Sequence, residues 1–138
     1  MASANRKRVT ALIVDDDRDT RELYTQYLSR SGVNTVEAED GVHGLAKATS
    51  IVPDVITTDL LLPRMTGAEL CRSLKGAERT RQIPVIVVTG SVRESEVEAA
   101  KQAGCVSVLI KPCLPETLLT EIRRVLALSQ FADKHPSK

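Results

Sequence analysis

The sequence predicts one α/β domain, an open parallel sheet of five strands with helices on both faces. Three observations predict it. Five short runs, Val9–Val14, Val33–Glu37, Val55–Thr58, Ile83–Val88 and Val106–Ile110, are apolar or β-branched. Most are continuously so rather than alternating, as strands covered on both faces require. Segments with helical apolar spacing separate the runs, and helix-ending residues fall between them. The chain's 138 residues suit a single domain, since domains typically take ~100–200 residues.

Strand one runs directly into Asp15-Asp16-Asp17. Arg6-Lys7-Arg8 ahead of it suggests a secretory leader, but so short an apolar stretch closed by three carboxylates cannot serve as one. Helix one is marked by Leu23, Tyr24, Tyr27 and Leu28, with Gly32 as the glycine just past its end. Asp17 is placed to cap its start. Strand two ends in Glu37, and helix two follows on Val42, Leu45, Ala46 and Thr49. Strand three ends at Asp59. Thr66-Gly67-Ala68-Glu69 reads as a capping box opening helix three, which carries Leu70, Cys71 and Leu74 and closes at Gly76.

Strand four leads into Thr89-Gly90. Ser91-Val92-Arg93-Glu94 reads as a second capping box, for a weaker helix four on Val97, Ala100 and Ala103 that closes at Gly104. Strand five leads into Lys111-Pro112. Helix five is the clearest, with Pro115 in its first turn and Leu118, Leu119, Ile122, Val125 and Leu126 along one face. Arg123-Arg124 reads as solvated, with Leu119 partly exposed. The expected division is a basic extension over 1–8, the domain over 9–128, and a polar tail over 129–138 with no effector domain.

Charge excludes several functions. Nineteen basic residues against eighteen acidic leave a net charge of +1, so no overall field favours nucleic acid or anionic lipid. No direct nucleic-acid binding is expected. No apolar run approaches the ~18 residues of a membrane span, and the expected location is cytoplasmic. Cys71, Cys105 and Cys113 fit no metal-ligand spacing and read as small buried hydrophobes. His43 and His135 read as surface residues.

In an open α/β sheet the ligand site lies beyond the carboxyl ends of the strands. There the sequence puts Asp15, Asp16 and Asp17, then Asp59, Thr89 and Lys111. Any one alone is uninformative: an Asp after a strand is commonly a helix cap. Together they are three separate kinds of group at four strand ends. Crowded carboxylates raise one another's pKa unless a cation joins them. A hard divalent ion with oxygen ligands removes that penalty, and Mg²⁺ suits a shell of few carboxylates and a phosphate. A carboxylate nucleophile, Mg²⁺, a hydroxyl and a lysine describe phosphoryl transfer.

These residues resemble the receiver domain of bacterial two-component response regulators, in its stand-alone, chemotaxis-regulator-like form. The matching stretches are LIVDDD at 12–17, PDVITTDLLLPRMTG at 53–67, PVIVVTG at 84–90 and LIKPC at 109–113. The resemblance implies a flavodoxin-like sheet of strand order 2-1-3-4-5. It implies that Asp59 accepts a phosphoryl group from a phosphohistidine of a sensor histidine kinase or histidine phosphotransfer protein. Asp15, Asp16, Asp59 and the Leu61 backbone carbonyl would hold Mg²⁺, with Asp15 acting through water. Thr89 and Lys111 would bind phosphoryl oxygens, and Gly90 would leave room for the group to enter. The Lys111-Pro112 peptide would be cis. The chain would be a switch rather than an enzyme on other substrates, signalling to a downstream protein through the face of helix four, strand five and helix five. A homodimer stays open.

The sequence departs from the family pattern at three places. Val108 stands where the family often has a switch aromatic, and Tyr24, Tyr27 and Phe131 cannot replace it. Cys113 stands where Phe is common, as a core residue or a partly accessible thiol. Leu61 and Ser91, two residues after Asp59 and Thr89, tune hydrolysis in the family; an apolar Leu61 cannot orient water and points to a longer-lived phosphoryl group. Kinase choice would rest on helix one, including Arg18, Arg21, Glu22 and Thr25.

Two rivals follow. Asp15 and Asp17 have the spacing of a haloacid-dehalogenase nucleophile and acid, but Arg18 and Asp19 do not continue that motif. The other is a degenerate receiver acting as a phosphorylation-independent interaction module, favoured by Val108 and opposed by the intact Asp15, Asp16, Asp59, Thr89 and Lys111.

Overall fold

In the computed structural model, five strands and five helices alternate along the chain. The structure describes residues 8–91 and 93–134, without the side chains of 130–134. The strands are β1 (Thr10–Val14), β2 (Asn34–Ala38), β3 (Val55–Thr58), β4 (Val85–Thr89) and β5 (Ser107–Ile110). They pair in parallel in the order β2-β1-β3-β4-β5. The chain steps from β1 outward to β2, then crosses back to β3. That reversal opens a crevice at the carboxyl ends of β1 and β3.

The helices are α1 (Arg18–Arg30), α2 (Gly41–Ile51), α3 (Gly67–Lys75), α4 (Glu94–Gln102) and α5 (Pro115–Lys134). Successive strand residues point to opposite faces, so the central strands β1, β3 and β4 feed two core layers. Ala11, Ile13, Val55, Ile86 and Val88 pack with Tyr24 and Leu28 of α1 and Leu118, Ile122 and Val125 of α5. Leu12, Val14, Ile56, Val85 and Val87 pack with Ala48, Leu70, Cys71, Leu74 and Ala100 from α2, α3 and α4. This two-sided burial is why the strands lack a polar side. Each fully buried Leu or Ile contributes ~1.5–3 kcal/mol of transfer free energy.

Local signals set most helix ends. Asp17 caps α1, accepting from the Thr20 N–H at 3.1 Å. Thr66 and Glu69 form the expected capping box of α3. Gly32 (φ 91°) and Gly104 (φ 108°) take the left-handed conformation past α1 and α4. Pro115 opens α5 as expected.

Several expectations are corrected. β2 lies one residue later than its apolar run, and β4 extends through Thr89. Gly76 is right-handed (φ −81°) and ends α3 without needing glycine's freedom. α2 instead ends on Val52 in the left-handed region (φ 51°), strained for a β-branched residue. The buried face of α2 is Gly41, Gly44 and Ala48; Val42, Ala46 and Thr49 face solvent. Gly44 lets α2 approach Val14, where an added Cβ would sit 3.1 Å from its side chain. Leu23 of α1 is exposed, whereas Leu119 of α5 is buried.

The second capping box does not form. Arg93 is the N-cap of α4 and provides no side-chain bond, because Ser91 lies two residues too early and its hydroxyl goes to Glu96 instead. α5 continues through Lys134, so 129–134, expected as part of the polar tail, belongs to the helix. Residues 1–7, Val92 and 135–138, with His135 and Pro136, lie outside the described residues, as does the Phe131 side chain. All three cysteines are free; Cys71 is buried, but Cys105 and Cys113 are only half-buried. No helix among the described residues is long and apolar enough to cross a membrane.

Candidate functional site

The carboxyl ends of β1, β3, β4 and β5 converge. Asp15 continues β1, its N–H donating to the Ala38 carbonyl at 3.1 Å. Asp59 follows β3, its N–H on the Val14 carbonyl at 3.1 Å, and Lys111 follows β5, its N–H on the Thr89 carbonyl at 2.8 Å. Backbone pairing thus carries these side chains to one edge before any side-chain contact is made. Carboxylate oxygens of Asp15, Asp16 and Asp59 all lie within 4.8 Å of one another. The Lys111 ammonium donates to Asp59 Oδ2 at 2.8 Å and to Asp15 Oδ2 at 2.9 Å. Thr89 is fully buried at the end of β4, and its Oγ1 accepts from the Ser91 N–H at 3.1 Å. The Lys111-Pro112 peptide is cis.

Burial dominates the electrostatics. It raises the Asp15 pKa, outweighing the hydrogen bonds from Lys111 and the Asp17 N–H that oppose the rise. Burial also works to lower the Lys111 pKa, but hydrogen bonds to Asp59 and Asp15 outweigh it, and the net shift is upward. Lys111 is therefore a fixed positive charge at neutral pH. Three carboxylates around one ammonium leave negative charge uncompensated. An oxygen-only donor set of this kind fits a hard divalent cation such as Mg²⁺.

Other residues hold the cluster in place, in roles the sequence did not mark. Arg21 donates to the Asp15 carbonyl at 2.7 Å and to Glu37 at 2.9 Å, tying β1, β2 and α1 together. Glu37 of β2 anchors that arginine. Gly67 lies so close to the loop after β3 that a Cβ there would sit 2.3 Å from the Asp59 carbonyl oxygen. The Leu61 N–H donates to Asp59 Oδ1 at 3.2 Å, while its side chain is exposed. On the opposite face the Tyr24 hydroxyl donates to the Cys113 carbonyl at 2.8 Å. Burial pushes the Tyr24 pKa up to about 12, so it stays a donor. A Glu or Arg at helical spacing from a strand end was the only signal for such contacts, and it is too common to be specific.

The remaining candidates separate. Asp17 caps α1 and is not in the carboxylate cluster, which removes the Asp15/Asp17 nucleophile pair. Thr25 is buried and the Arg21 side chain largely so, so neither belongs to an exposed recognition face as expected; Arg18 is exposed. Burial raises the Cys113 thiol pKa, which disfavours the reactive thiolate. Val108 packs against the α2–α3–α4 layer, across the sheet from Tyr24. His43 is on the surface, as expected, beside Asp40 at 3.1 Å.

Comparison with known proteins agrees with this geometry. Residues 11–123 match the family described as the response regulator receiver domain. The response regulator MprA of Mycobacterium tuberculosis is 38% identical over 125 residues, covering 91% of this chain and 54% of MprA. The chain thus spans about half the length of the curated relatives it matches. The chemotaxis response regulator CheY4 of Vibrio cholerae superposes with a TM-score of 0.81 at 31% identity, over 86% of this chain and 99% of CheY4. A CheY-like receiver domain protein from Methanospirillum hungatei gives a TM-score of 0.85 at 27% identity, over 90% of this chain and 98% of its own. The chain belongs to the response regulator receiver domain family, and its fold is the flavodoxin-like one of that family.

Proposed function

We propose that this domain is a phosphoryl-accepting switch, with Asp59 as the acceptor. The observation that carries the reading is the Lys111 ammonium bridging Asp59 and Asp15 inside a cluster of three carboxylates. Asp59 Oδ attacks the phosphorus of a phosphohistidine on a sensor histidine kinase or phosphotransfer protein. The P–N bond breaks as the P–O bond forms, giving an aspartyl phosphate and a free imidazole. Lys111 binds one phosphoryl oxygen, and the Thr89 hydroxyl donates to another. Asp15, Asp16, Asp59 and the Leu61 carbonyl hold Mg²⁺, which when bound neutralises charge on the transferring group. Turnover is confined to the domain's own phosphorylation and its loss, so the domain acts as a switch rather than as an enzyme on other substrates.

Output follows from charge and packing. Phosphorylation adds acceptor oxygens at Asp59 and draws Thr89 and its loop inward. Only Ala100 is buried within α4, so this helix is lightly held and moves at least cost. Its face with β5 and α5 then presents a different surface to a downstream protein.

Intact-protein mass after incubation with acetyl phosphate and Mg²⁺ tests the reading. Wild type gains ~80 Da, one phosphoryl group, and Asp59→Asn does not. No gain from either acetyl phosphate or a cognate kinase would favour a phosphorylation-independent interaction module, the reading to which Val108 points.

A further inference from the structure

We propose that Ser91 and Glu96 form the mechanical link that carries movement of Thr89 into α4; the proposal rests on Asp59 being the phosphoryl acceptor and extends that reading to these two positioning residues. The Ser91 N–H donates to Thr89 Oγ1 at 3.1 Å. The Ser91 hydroxyl donates to the Glu96 carboxylate in the first turn of α4, and accepts from the Arg93 N–H at 3.3 Å. One residue thus joins the end of β4, the loop and the helix. The hydroxyl–carboxylate bond is charge-assisted and stronger than a neutral pair. The N-cap Arg93 supplies no side-chain bond at this end of α4.

What lies around the link favours motion. A cavity of about 150 Å³ lies beside α4, lined by Leu60, Leu61, Thr66, Ala68, Glu96 and Ala99. Glu96 therefore stands between the Ser91 hydroxyl and open space next to the acceptor loop. A lightly packed helix beside such a space loses few dispersion contacts on shifting. When the Thr89 hydroxyl turns to a phosphoryl oxygen, the Ser91 N–H follows it or loses its acceptor, and Ser91 takes Glu96 with it. Val108 has neither ring nor hydroxyl to transmit the same displacement, and it packs on the same layer as Ala99 and Ala100.

Amide NMR shifts on adding Mg²⁺ and beryllofluoride, a phosphoryl mimic that does not turn over, test the link. In wild type the Thr89 and Gly90 amides move, and so do those of Val97 to Ala100. In Ser91→Ala and in Glu96→Ala, the Thr89 and Gly90 changes persist while the α4 changes are largely lost. The double variant falls no further, and Ser91→Thr, which keeps the hydroxyl, restores the response. Glu96 lies at the half-buried surface of α4, so its truncation tests the link even if the Ser91 variant folds poorly. An α4 response of wild-type size in Glu96→Ala overturns the link while leaving the acceptor reading intact. No response at Thr89 and Gly90 in wild type overturns both.

Discussion

Lys111 and Asp59, 52 residues apart in sequence, are joined by a 2.8 Å hydrogen bond at the carboxyl edge of the sheet. The same ammonium reaches Asp15 at 2.9 Å, so one charge holds two largely buried carboxylates together. Lys111→Met leaves those carboxylates facing each other without their cation. The expected loss of stability is about 1–3 kcal/mol, measured by urea unfolding without Mg²⁺. Labelling of Asp59 by acetyl phosphate slows by roughly 10²-fold, because one donor to the developing phosphoryl charge is gone. Labelling at the wild-type rate would exclude Lys111 from phosphoryl binding.

Asp16 is the exposed member of the cluster. Asp16→Asn removes repulsion, so the metal-free domain is expected to gain up to about 1 kcal/mol. The same change removes one of the proposed Mg²⁺ ligands. On the proposed binding, Mg²⁺ at ten times its Kd is expected to stabilise wild type by about 1.4 kcal/mol by binding only the folded state. Thermal melts with and without Mg²⁺ read both effects: a higher Tm for the variant without the ion, and a much smaller rise when it is added.

Glu121 joins α5 to β5. Two bonds from Arg124, at 2.9 and 2.6 Å, and one from the Ser107 hydroxyl lower its pKa to about 2. A carboxylate whose folded pKa is depressed contributes stability above its unfolded pKa, here 4.5, and loses it as pH falls toward the folded value. Glu121→Gln is therefore expected to cost about 1 kcal/mol at pH 7. The gap between variant and wild type narrows as pH falls from 4.5 to about 2. A gap that stays constant across that range in denaturant titrations would show that the charge is not its source.

Two glycines at the strand ends, Gly67 beside Asp59 and Gly90 after Thr89, are expected to respond oppositely to substitution. Gly67→Ala drives a Cβ into the Asp59 backbone, whereas a Cβ on Gly90 meets nothing within 4 Å. The former is expected to destabilise by about 1–3 kcal/mol and to impair labelling by displacing Asp59. The latter stays within about 0.5 kcal/mol of wild type. Circular dichroism melts and the phosphorylation assay separate the two.

Much of this was legible in the chain because it is local. Continuous apolar runs such as Val85–Val88 report burial on both faces, and an Asp, a Thr or a Lys directly after such a run must emerge at the same edge when the strands are parallel. The capping box at Thr66 was readable for the same reason: its two partners are three residues apart. The similar signal at Ser91 misled, because α4 starts two residues later than the motif requires and the hydroxyl goes to Glu96, two residues beyond the motif's Glu94.

Nonlocal pairing decided the rest. Helix two looked amphipathic through Val42 and Ala46, yet close approach to β1 selected the small residues Gly44 and Ala48 for its buried face. Arg21 and Glu37 became supports of the carboxylate cluster only once β2 lay beside β1 and α1 folded over both. By itself the sequence determined the element order and the chemistry at the strand ends, both encoded within a few residues. Tertiary structure alone decided which carboxylates share a cation and how closely. Those depend on distances between segments that meet only through packing of the two core layers.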